Sequence, residues 1–241
     1  MSIQLPSQVV QFLQVIGINW PDIDEDKVRE AAQHVRTFAQ NVQSTHDSAT
    51  AALQQAGQHY QGSGYDALVA TWAQKSQDHM SELVRACQVV ASALEAGAEA
   101  IVGLKVTTIA ELVALAAAFV GDQAAAIATF GVAEVALPLI EAAGERCVQY
   151  LQQQIIQYVI GQVIEAAVQP LIGVVDKAAD GFVYSAVSSA LGVSAPSGAA
   201  STGFRMMPEA FKAQGQVLMD HAQVMAGHAE TLQTTLSGMT F

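Results

Sequence analysis

The stretch His59-Tyr60-Gln61-Gly62-Ser63-Gly64-Tyr65-Asp66-Ala67-Leu68 interrupts a chain that otherwise carries long Ala- and Gln-rich helical pattern. Two glycines one residue apart can adopt backbone conformations denied to residues with a β-carbon, so the chain can reverse sharply at Gly62 and Gly64. Tyr60 and Tyr65 are then placed to pack over the end of the reversal. On the N-terminal side, Val28, Ala31, Val35, Phe38, Val42, Thr45, Ala49, Ala52, Ala56 and His59 alternate steps of four and three. That heptad seam predicts one helix running to about residue 59. On the far side, Tyr65, Leu68, Trp72, Ser76, Met80, Leu83, Cys87, Val90 and Leu94 mark a second stripe at similar spacing. A break of a few residues between helices of this length makes them antiparallel neighbours, because that arrangement buries both seams.

Composition supports a helical chain throughout. Of 241 residues, 51% are hydrophobic but only 6% aromatic, and the apolar content is mostly Ala, Val and Leu, which favours helices packed closely through small side chains. The expected fold is all-α: an elongated helical bundle built on the long hairpin, with an additional Ala-rich helical layer. The net charge of -12, with only 10 Lys plus Arg, leaves no basic stripe for a phosphate backbone and argues against nucleic acid as a partner. Cys87 and Cys147 belong to no metal-binding or C-x-x-C pattern; buried free thiols are expected, with a single bridge as the alternative.

Upstream of the hairpin, residues 7–16 predict a short amphipathic helix ending at Gly17, and Trp20-Pro21 an extended turn. Asp22 is the expected cap of the first long helix, with Glu25 three residues on as in a capping box. The opening MSIQLPSQVVQFLQVIGINWPDID lacks a basic n-region and does not read as a Sec signal peptide.

Downstream, charges thin out. Gly103, Gly121, Gly131, Gly144 and Pro138 punctuate an Ala/Val/Ile/Leu-rich region, suggesting helices near 104–120, 123–142, 145–178 and 180–192. The windows 106–121 and 155–175 approach membrane length, but they contain Glu111 and Glu165. Residues 193–205 have linker composition. Past them Phe211, Leu218, Met225, Leu232 and Met239 repeat every seven residues, a seam that needs a partner in the body of the protein or in another chain, a second copy included. The expected organisation is a hairpin with its short N-terminal helix over 1–100, a helical region packed on it over 101–192, a linker over 193–205 and an amphipathic helix over 206–241.

No constellation for catalysis stands out. His221 and His228 lie seven residues apart, outside the i, i+4 spacing of a helical metal pair, and are expected to line the seam or face solvent. His46 beside Asp47, and His79 beside Asp78, point to different sides of a helix. The fragment Gly62-Ser63-Gly64 lacks the lysine of a phosphate loop, and Glu111, Glu134, Glu141, Glu145 and Glu165 have no E-x-x-H companion. The expectation is a chain that is not an enzyme and takes no cofactor or metal.

The unit helix, Tyr60-Gln61-Gly62, helix resembles the W-x-G hairpin of the small type VII (ESX) secretion substrates, with Tyr60 in the tryptophan position and Gly62 as the motif glycine. The run LPSQVVQFLQVIGINWPDIDEDKVREAAQHVRTFA, residues 5–39, is similar to the opening of the larger WXG-like domains that head actinobacterial polymorphic toxins, necrotizing-toxin channel proteins among them. The resemblance covers about residues 5–190, strongest over the first hundred, with a weaker likeness at 204–241. Two departures stand out: tyrosine replaces the motif tryptophan, and no Y-x-x-x-[DE] export signal follows Tyr60, Tyr65, Tyr150, Tyr158 or Tyr184.

The resemblance implies a noncatalytic secretion and interaction domain, the N-terminal part of a toxin, secreted or held at the cell envelope through a type VII system. It also implies small WXG-type hairpin proteins and the secretion machinery as partners, with any missing export signal supplied by a partner chain. The hairpin end, Tyr60, Gly62, Gly64 and Tyr65, is the recognition motif, and Phe38, Val42, Trp72, Met80, Phe211, Leu218, Met225 and Leu232 are the candidate interface. The alternative is a membrane-inserting or pore-forming protein acting through helices within 104–175.

Overall fold

The computed structural model describes residues 3–21, 23–75, 79–128, 137–158, 161, 205–206 and 208–239. The described chain is an all-α helical bundle: α1 (Ser7–Ile16), α2 (Glu25–His59), α3 (Ser63–Lys75), α4 (Ser81–Ala128), α5 (Leu137–Tyr158) and α6 (Pro208–Ser237). One two-residue ladder interrupts the helices, in which β1 (Tyr60–Gln61) pairs antiparallel with β2 (Arg205–Met206).

Helix ends follow local chemistry. α1 stops where Gly17 turns left-handed at φ 70°, and the amides of Gly17 and Ile18 return to the carbonyls of Gln14 and Leu13. α2 begins later than the sequence suggests. Asp24 is its cap, its carboxylate accepting from the Asp26 amide at 2.9 Å, while Asp22 lies outside the described residues. Glu25 does not close a capping box. Its carboxylate accepts from the Ile3 amide at 2.7 Å and from the Lys105 ammonium at 2.6 Å, and Lys105 also donates to the Ile23 carbonyl.

The second arm of the hairpin is described as α3, to Lys75, and α4, from Ser81, with π-helical geometry at 79–80, while residues 76–78 lie outside the described residues. The apolar stripe keeps its register across that interval, Trp72 and Met80 lining the same groove. α4 in turn runs unbroken through Gly103 and Gly121, where breaks were expected. A helical glycine costs only about 1 kcal/mol relative to alanine, which a helix anchored by packing on both sides absorbs. The predicted helices beyond Tyr158, Gly131 and most of the 193–205 linker lie outside the described residues.

The chain divides into two compact units. The first holds α1, the first turn of α2, α4 from residue 93 onward, and α5. In it, Val9, Phe12 and Leu13 pack with Leu112, Ala116, Phe119 and Val148, while Val28 packs with Ala98, Ile101, Leu151 and Ile155. Trp20 lies against both clusters, which gives the Trp20-Pro21 turn a core role.

Gly144, read as a helix boundary, is instead inside α5 at its crossing with α1. A β-carbon there would meet the Phe12 ring at 2.9 Å and the Ile16 Cδ1 at 3.1 Å. Gly144→Val is therefore expected to destabilise the protein by about 1–3 kcal/mol through overpacking. Urea denaturation checks this, and an unchanged midpoint would mean that α1 can move aside freely.

The second unit holds the rest of α2, the ladder, α3, the opening turns of α4 and α6. Contacts between α2 and the returning arm run in opposite sequence order, Tyr65 with Leu53 and Trp72 with Thr50, so the hairpin is antiparallel as expected. The buried face of α2 is broader than a two-position seam. Val28, Ala31, Val35, Phe38, Val42, Ala49 and Ala56 are buried as expected, and Ala32, Ala39, His46 and Leu53 add a third heptad position. Thr45 and Ala52 are only half-buried.

Candidate functional site

The Gly62 elbow and the face below it bring together Tyr65, His46, Trp72 and His221 in the second unit. At the elbow itself, the Gly62 carbonyl accepts from the amides of Tyr65 and Asp66 at 3.0 and 3.2 Å, so it starts α3 directly. Gly64 consequently lies in the first turn of α3 and not in the bend. The reversal is closed by a third segment, because the backbone of Tyr60 pairs with Met206 and that of Gln61 with Arg205.

Tyr65 ties the two arms together: its hydroxyl donates to the Leu53 carbonyl at 3.0 Å, and its ring lies over Gly57. A β-carbon at position 57 would lie 2.7 Å from the Tyr65 Cζ. Gly57 is thus the residue that lets the ring approach α2, a role invisible without its partner.

Two turns along the hairpin, the Trp72 indole N–H donates to Thr50 Oγ1 at 2.9 Å, and Thr50 Oγ1 donates to the His46 carbonyl at 2.9 Å. The Trp72 ring stacks on His46, with centroids 4.9 Å apart and planes 7° from parallel. α6 adds the third ring: His221 meets His46 edge-on at 5.9 Å and Trp72 at 5.6 Å. One α-helical heptad further along α6, His228 shares a hydrogen bond of 3.0 Å with Thr45 Oγ1.

His46 and His221 are each only 5% exposed. Burial lowers the His46 imidazole from its ordinary value, against a smaller upward pull from Asp47. Burial, helped by the neighbouring His46, pushes His221 down to about 4. Both rings are therefore neutral near pH 7 and behave as packing surfaces with polar edges.

Beside this cluster, a groove of about 530 Å³ runs between α2 and the returning arm. Leu53, Val69, Trp72 and Met80 supply its apolar walls, and Gln43, Asp47 and Gln54 its polar lining. The interface candidates divide accordingly. Phe38, Val42 and Met80 are buried inside the unit, Trp72, Leu218, Met225 and Leu232 are partly exposed, and the Phe211 side chain lies outside the described residues. Val217, Met219 and Val224 expose further apolar area on α6.

The thiols have no nucleophilic character. Burial raises Cys87 to about 11, and burial together with the 2.8 Å hydrogen bond and charge of Glu111 raises Cys147 to about 12. Both are free cysteines. Among the described residues, no group of three or more His, Cys, Asp or Glu is placed to hold a metal ion.

From sequence, His221 is expected to line the seam or face solvent and His46 is read only beside Asp47; their meeting at Trp72 is not foreseen. The regular spacing of Ala32, Ala39, His46 and Leu53 is the signal that puts His46 on the buried face. The family described as WXG100 like domain matches residues 3–145, well over half of the chain. No curated protein and no solved structure matches it.

Proposed function

The chain belongs to the WXG100-like family, and from that premise we propose that it is a noncatalytic trafficking and interaction domain of a type VII secretion substrate, docking small WXG-type helical-hairpin proteins. At the coarser level it is a type VII secretion-associated helical protein. The observation that carries the proposal is the groove along the hairpin. Its apolar walls and polar lining suit one face of an amphipathic partner helix, the helix-in-groove mode of recognition. The cargo would be a toxin module, borne on the same natural chain or on a separate one, and export would take the product to the cell envelope or beyond it.

Co-expression with small WXG-type proteins encoded beside the gene is expected to yield a copurifying complex. Val69 is 39% exposed on the groove wall, so Val69→Glu should leave the fold intact while setting a charge against the partner. The expected loss of affinity is roughly tenfold or more. Gly62→Pro should also weaken the complex, because proline requires φ near -65° where Gly62 has 158°. Recovery of free protein alone from repeated pull-downs would refute the partner reading.

A second reading, membrane insertion, has one observation in its favour: Ser81–Ala124 is long and apolar enough to span a bilayer, with a mean hydropathy of 1.8 in its best window. Leu112, Ala116 and Phe119 of that helix are already buried against α1 and α5, which favours the soluble bundle. Dye leakage from liposomes on addition of the pure protein would reverse that preference.

A further inference from the structure

We propose that α6 is an acid-released latch, held on the α2–α3 hairpin by the contact of three uncharged rings, His46, Trp72 and His221, and freed when those imidazoles take up protons. The inference stands on the geometry of the contact and holds whether or not a partner occupies the neighbouring groove.

His221 is the one residue of α6, among those described with burial, that is buried. It sits edge-on to a stacked imidazole–indole pair, so the most enclosed point of α6 is a titratable group facing a second titratable group. A proton on either ring places a charge in a desolvated contact, and a proton on both places like charges within 5.9 Å.

The charged and titratable groups around the contact come from each element packed there. α2 contributes Asp47, which favours protonated His46 but is hydrogen-bonded by Gln43 at 2.8 Å. α3 carries an exposed Asp66 in its first turn. The arm leading into α4 carries His79, and the first turn of α4 carries Glu82. α6 itself carries Asp220, hydrogen-bonded by Gln216 at 2.9 Å, and His228, engaged with Thr45. Burial outweighs the Asp47 attraction at His46, and at His221 burial and the neighbouring His46 act in the same direction. Release would leave α6 tethered at the elbow, where Met206 and Arg205 pair with Tyr60 and Gln61, and would uncover Trp72 and Thr45.

The sign follows from linkage. A histidine lowered on docking binds more protons when free, so docking is complete above its ordinary value near 6.5 and weakens as pH falls toward about 4. For His221 alone, the docked-to-released ratio should fall about tenfold between pH 7.5 and pH 5.5, and about 300-fold at the acid limit.

Hydrogen exchange, corrected for the intrinsic pH dependence of amide rates, tests this on the full chain. Protection across residues 212–236 should drop about tenfold from pH 7.5 to 5.5 while α1 and α5 keep theirs, and His221→Phe should keep α6 protected at both values. An unchanged α6, a uniform loss over all helices, or a His221→Phe profile identical to wild type would overturn the latch. Should His221→Phe fail to fold, an NMR titration of the wild-type imidazoles decides: His221 titrating well below 6.5 supports the latch, and titration at or above 6.5 rejects it.

Discussion

Replacing Lys105 with methionine is expected to destabilise the protein by about 3–5 kcal/mol, because it strands the Glu25 carboxylate in a site where both side chains are almost fully buried. For a chain of this size that corresponds to a fall in Tm of roughly 6–20 °C. Glu25→Gln should cost a comparable amount by leaving the ammonium with the Ile23 carbonyl. The double variant Glu25→Leu with Lys105→Met should recover most of the loss, because two apolar groups need no partner there. A loss below about 1 kcal/mol in both single variants would show that water or another group replaces the missing ion.

The same site makes an acid prediction with a definite sign. Burial pushes Glu25 upward, but the hydrogen bond from Lys105, the amides of Glu25 itself and Ile3, and the Lys105 charge together hold it below its ordinary 4.5. Its contribution is present above pH 4.5 and is lost as pH falls through the lowered value. In Lys105→Met only the Ile3 and Glu25 amides oppose burial, so the slope should reverse and acid should relieve part of the defect. Urea midpoints at pH 7 and pH 4 distinguish the two cases.

Phe12→Ala is expected to cost about 3–5 kcal/mol and to undock α1. Phe12 is buried, meets Phe119 edge-on with centroids 5.5 Å apart, and fills the space left open by Gly144. α1 has only ten residues, too few to stay helical without that packing. Amide protection in residues 7–16 should therefore collapse. Val15→Ala, on the exposed side of the same helix, should change stability by less than about 0.5 kcal/mol. Equal effects at positions 12 and 15 would contradict the observed docking.

How far these features could be read in advance depends on the range of the interaction behind them. α1 and its stop at Gly17 are legible because apolar spacing and a left-handed glycine act within a few residues. The α2 seam and the reversal at Gly62 are legible for the same reason. Asp24 in place of Asp22 as the cap is a two-residue error among neighbouring carboxylates of equal capping ability. Gly57 and Gly144 carry no local mark of their role, since each is explained by a ring arriving from another helix. The Lys105–Glu25 pair joins residues 80 positions apart and follows no pattern along the chain.

Periodicity and composition, which depend only on neighbours along the chain, were enough to establish a helical protein folded back at a glycine elbow. Packing decided the rest: how α4 passes unbroken through two glycines, and which histidines are enclosed. A side chain's protonation and accessibility depend on what covers it, and at His46 and His221 the cover comes from helices far apart in sequence.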